Sequence, residues 1–65
     1  MEKYKTVTIL AANLEPGNVM LGHAGGTSMV DNVERSSARP GLLLVETEHG
    51  ALYLDPEAAV SVIVG

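Results

Sequence analysis

A chain of 65 residues, 46% of them hydrophobic, makes one domain with a small core, because a fold of this size hides only about 60% of the surface its unfolded chain exposes. The absence of cysteine excludes disulfide staples and thiolate zinc cages, and two isolated histidines make no structural metal site. Four basic residues against eight acidic ones give a net charge of -4, which argues against a protein whose main work is gripping a phosphate backbone.

The opening stretch MEKYKTVTIL has no long apolar run after its lysines, and nowhere does the chain reach the roughly 18 consecutive apolar residues of a membrane span. Neither a secretory signal nor a membrane segment is expected, and the expected compartment is the cytoplasm. Helical periodicity fails almost everywhere, since Gly or Pro interrupts each candidate window. Strands fit better. Tyr4 to Leu10 places Val7 and Ile9 on one face and Thr6, Thr8 and Leu10 on the other, a half-buried first strand rich in β-branched residues. Pro16-Gly17 then supplies a fixed φ followed by a residue that tolerates positive φ, as a type II turn requires.

A second strand runs from Asn18 or Val19 to Leu21 or Gly22, and a third from Thr27 to Arg35. In the third strand Val30 and Val33 stand three apart, which breaks the period of two and predicts a bulge or bend at Asp31-Asn32. The polar segment Ser36 to Gly41 is the longest connection. Leu42 to Thr47 is a nearly continuous apolar strand of the kind covered on both faces, and Glu48-His49-Gly50 turns it back into Ala51 to Leu54. Asp55-Pro56-Glu57 combines a capping residue, a proline and an acid in the order that starts a helix, but only one helical turn fits near residues 55–59 before Val60 opens a last strand, VSVIV.

Five or six short antiparallel strands with turn signals every eight to twelve residues, and one helical turn, predict an all-β fold closing into a small barrel. In two stretches the chain resembles the SH3-like barrels. Leu14 to Leu21, LEPGNVML, is similar to the Leu-x-x-Gly-Asp turn that leads into a barrel strand, with Asn18 in the usual place of Asp; Leu52 to Val64, LYLDPEAAVSVIV, is similar to the short helical turn before the closing strand. The resemblance implies a barrel fold over residues 1–65. It does not extend to proline-rich ligands, because the aromatic groove of peptide-binding SH3 domains is missing.

The most chemical-looking stretch, Gly22-His23-Ala24-Gly25-Gly26-Thr27-Ser28, lacks the lysine and the following helix of a phosphate loop and reads as a glycine hairpin. His23 and His49 are 26 positions apart, both in expected turns, and belong to no recognisable catalytic or metal-ligand spacing. No catalytic residue, metal ligand or cofactor is therefore expected; a metal-assisted enzyme built on the two histidines is the weakest of three readings. The second is an accessory nucleic-acid binder that holds phosphate with Arg35, Ser36, Ser37 and Arg39, helped by Lys3 or Lys5, against the overall charge and with only Tyr4 and Tyr53 available for stacking. The acids Glu46, Glu48, Asp55 and Glu57 gather near the second hairpin, where a basic protein partner could meet them.

The strongest positive signal is apolar strand surface in excess of what one small interior can hold. Leu42 and Leu44, with Val60, Val62, Ile63 and Val64, are the candidate self-association residues. The leading expectation is a non-enzymatic interaction module that forms homo-oligomers by sheet-edge or sheet-face pairing of the Leu42–Val45 and Val60–Val64 strands and presents its loops to a protein partner.

Overall fold

The structure, a computed structural model, describes residues 4–22 and 26–64. It contains β1 (Thr6–Leu10), a 3₁₀ turn η1 (Ala11–Asn13), β2 (Val19–Leu21), β3 (Thr27–Arg35), β4 (Leu43–Thr47), β5 (Gly50–Leu54) and β6 (Ala59–Ile63). All strand pairs are antiparallel, in the order β1-β6-β2-β3-β4-β5. The fold is all-β, as the β-branched segments predict, and β3 begins and ends where its sequence says it should.

The bulge in β3 is what lets one strand serve two halves of the sheet. Val30 lies opposite Thr47 and Asn32 opposite Glu46, so Asp31 is the extra residue with no partner. Beyond it the alternation resumes with Val33 opposite Val45. Both valines of the awkward three-residue spacing thereby face the same interior, and the strand bends between its pairing with β2 and its pairing with β4.

The core is small: Ala11, Leu14, Val30, Val45 and Val62 are buried, and Ile9, Met20, Val33, Leu43, Leu52, Leu54, Ala58 and Val60 pack around them. The registers explain this membership, since Met20 opposes Val62, Val45 opposes Leu52 and Leu43 opposes Leu54, all on the concave face. Ala11 closes one end of the sheet, where its N–H donates to the Ala58 carbonyl at 2.8 Å and that of Ala12 donates to the Pro56 carbonyl at 2.9 Å.

Two expectations are corrected. The curled sheet does not close, because β1 and β5 remain at opposite ends of the strand order. Residues 55–59 form no helical turn: the Ala58 N–H donates to the Asp55 carbonyl and the Glu57 N–H to Asp55 Oδ1, at 2.9 Å each, after which Ala59 enters β6. Asp and Pro start a hydrogen-bonded turn as readily as a helix, and the pairing of Ala59 with Leu10 claims the backbone before a helix can continue. Among the described residues the one short helix is η1, in a segment with no start signal.

Pro16-Gly17 makes the expected turn, with Gly17 at φ 96° and the Asn18 N–H donating to the Glu15 carbonyl at 3.1 Å. A Cβ on Gly17 would meet nothing within 4 Å, so the cost of a side chain there is purely conformational. Gly17→Ala should lower the unfolding free energy by about 1–2 kcal/mol in urea titrations, and Gly17→Asn, better suited to positive φ, should retain most of it.

Candidate functional site

Curling without closing leaves a groove of about 540 Å³ between β5 on one side and β2 and β6 on the other. Met20, Leu52, Leu54 and Val60 supply apolar walls, and Ser28 and Ser61 supply the polar positions. At one end, Ser28 Oγ lies 3.1 Å from His49 Nδ1. Sequence reading missed this pair because the two residues are 21 positions apart and no shared motif links them; the pairing of β3 with β4 brings Ser28 beside the turn that carries His49. Among the described residues no carboxylate bonds the imidazole to orient it as a base, so the pair lacks the third member that activates a serine. His49 is itself tethered by its N–H, which donates to Thr47 Oγ1 at 3.1 Å, while Thr47 Oγ1 donates to the Gly50 carbonyl at 2.8 Å. His23 lies outside the described residues, and among those described no three or more His, Cys, Asp or Glu side chains gather as metal ligands would.

Members of the expected phosphate-holding set take part in local structure. Ser36 is buried, and its Oγ accepts the Arg39 N–H at 2.8 Å, which folds the connection back on itself. Arg39 and Leu42 then close a turn over Pro40 and Gly41, the latter at φ 89°. The Arg39 guanidinium lies 4.9 Å above the Tyr53 ring, a cation–π contact that occupies the ring face a base would need. Arg35 ends β3 opposite Leu43 and shares with Ser36 a recess of about 200 Å³; Ser37 is exposed. The acids also serve local structure: Glu48 Oε2 accepts the Met29 N–H at 2.7 Å, and Glu46 Oε2 accepts from Asn32 Nδ2 at 3.2 Å.

The candidate self-association residues divide. Val62, at 4% exposure, belongs to the core, and Val60 packs against that core. Leu42 precedes β4 and lines the small recess, while Leu44 lies on the convex face between Glu34 and Tyr53. Ile63 is half-buried opposite Thr6, and Val64 is 59% exposed. Of the two expected modes, edge pairing is closed to β4, which pairs with β3 and β5, whereas β6 pairs with β1 along its length and with β2 at Val62, opposite Met20. Among the described strands, β1 and β5 stand at the two ends of the order and each pairs with one neighbour. The apolar runs therefore divide between the core, with Val62 and Val60, and the outer face, with Leu44, Ile63 and Val64.

Both edges are unusually plain. β1 reads TVTIL and β5 reads GALYL, with no charged residue and no proline in either. Sheet edges are normally blunted by such residues. Val7, at 45% exposure, and Leu10, at 47%, stand among the exposed apolar residues on β1, and Tyr53 is one on β5. No protein-family model matches the chain, and no curated protein and no solved structure matches it. No helix among the described residues is long and apolar enough to cross a membrane.

Proposed function

We propose that the protein is a non-enzymatic interaction module that self-associates through its sheet edges and presents its loops to a protein partner. One observation supports this above the others: an unclosed sheet ends in two uncharged, proline-free strands, each with a row of backbone donors and acceptors that no described strand satisfies. We read the fold as an open variant of the SH3-like barrel, supported by the Leu14–Leu21 turn and strand and by the short connection before β6.

The test is the solution mass by light scattering over a dilution series from micromolar to millimolar chain. Mass should rise above that of the monomer with concentration and fall on dilution. A monomer throughout the range overturns the proposal.

A further inference from the structure

We infer that the copies join head to tail, β1 of one chain adding to the β5 edge of the next and carrying its concave-face residues into that chain's groove. The inference rests on self-association through the edges and specifies which edge meets which. Val7 and Ile9 lie opposite Val62 and Val60, so they belong to the face of β1 that is continuous with the core. Leu52 and Leu54 occupy the corresponding face of β5 and form one wall of the groove. An antiparallel addition that sets Ile9 of the incoming copy opposite Leu52 and Val7 opposite Leu54 places apolar residues against apolar ones on that face.

In the same register Lys5 of the incoming chain arrives opposite Pro56, between Asp55 and Glu57. All three charged side chains are exposed. The alternatives use charge less well. Pairing β5 with β5 about Leu52 brings Glu48 of each copy between Asp55 and Glu57 of the other, acid against acid at both ends. Pairing β1 with β1 about Thr8 sets Lys5 opposite Ala11, which gains no opposite charge and leaves the groove and the β5 edge unfilled. Only the β1-to-β5 arrangement uses both edges and matches the signs at the joint. It is heterologous, so each added copy offers a fresh edge, and assembly continues past the dimer.

Edge-blocked variants test the direction of the joint. Val7→Lys puts an ammonium on the concave face of β1, and Ala51→Lys with Tyr53→Lys lines the rim of β5 with charge; circular dichroism and cooperative melting check that both still fold. Wild type should grow beyond dimer with concentration, each variant alone should be monomeric, and their equimolar mixture should form a dimer and nothing larger, joined by the one intact β1 and the one intact β5. A mixture that stays monomeric while wild type assembles, or either blocked variant that still dimerises alone, overturns the head-to-tail joint but leaves edge association standing. A wild type that is monomeric at every concentration removes both. Should a blocked variant fail to fold, Lys5→Glu and Glu57→Lys replace it: each should weaken assembly at least threefold alone, and the double variant should recover it, whereas additive loss in the double variant overturns the Lys5 contact.

Discussion

Val45→Ala should melt about 10–20 °C below the parent and lose about half its unfolding free energy. Val45 is fully buried at the centre of β4, flanked by Val33 on β3 and Leu52 on β5. Removing two methyl groups forfeits about 0.8 kcal/mol of transfer free energy for each and leaves a cavity, for a total of about 2–3 kcal/mol. In a large domain that would be a modest loss. Here the described buried apolar residues number five, and folds of this length rarely hold more than about 3–5 kcal/mol in all. A shift of 4–8 °C for each kcal/mol then gives the stated fall in melting temperature. Thermal melts at a chain concentration low enough to keep both proteins monomeric are the appropriate measurement, because association would raise the apparent stability of each. A melting temperature within about 3 °C of the parent would mean that the core relaxes around the gap.

Ala11→Leu should be nearly as damaging for the opposite reason. Ala11 is fully buried, and its backbone is pinned by the bond from its N–H to the Ala58 carbonyl. A larger side chain cannot turn outward without breaking that bond or the adjacent one from Ala12 to Pro56. Overpacking of this kind costs about 1–3 kcal/mol. The expected signature in urea is a lower midpoint at an unchanged slope, since the strands still form. Ala12→Leu, one residue along and exposed, is the control and should differ from the parent by less than about 0.5 kcal/mol.

Much of the architecture was legible in the residues. The β-branched runs marked the strands, Pro16-Gly17 and Gly50 marked turns that do use positive φ, and the spacing of Val30 and Val33 located the bulge at Asp31. These are local signals, each fixed by one or two residues. Strand order is not local. LLLV and VSVIV show how apolar a strand is but not where it lies in the sheet; β4 and β6 take inner places in the strand order, while the milder TVTIL lies at an edge. The groove was invisible for the same reason, being made of Met20, Leu52, Leu54 and Val60 from three strands that become neighbours only when the sheet curls. At Asp55-Pro56-Glu57 the start signals of helix and turn coincide, and the commitment of Ala59 to β6 decides between them.

The pairing of β1 with β6 has a further consequence, for the order of events in folding. Thr6 meets Ile63 and Leu10 meets Ala59, so among the described strands β1 is held by the one most distant from it in sequence. The hairpins β2-β3, β3-β4 and β4-β5 form from contacts between strands adjacent in the chain, but β1 must wait for a loop of about fifty residues to close, a step that slows folding. Until then TVTIL has neither of its sides paired. If copies join β1 to β5 as proposed, the β5 edge of a folded copy competes in that interval with the strand's own β6, and the yield of the intended fold would fall as protein concentration rises.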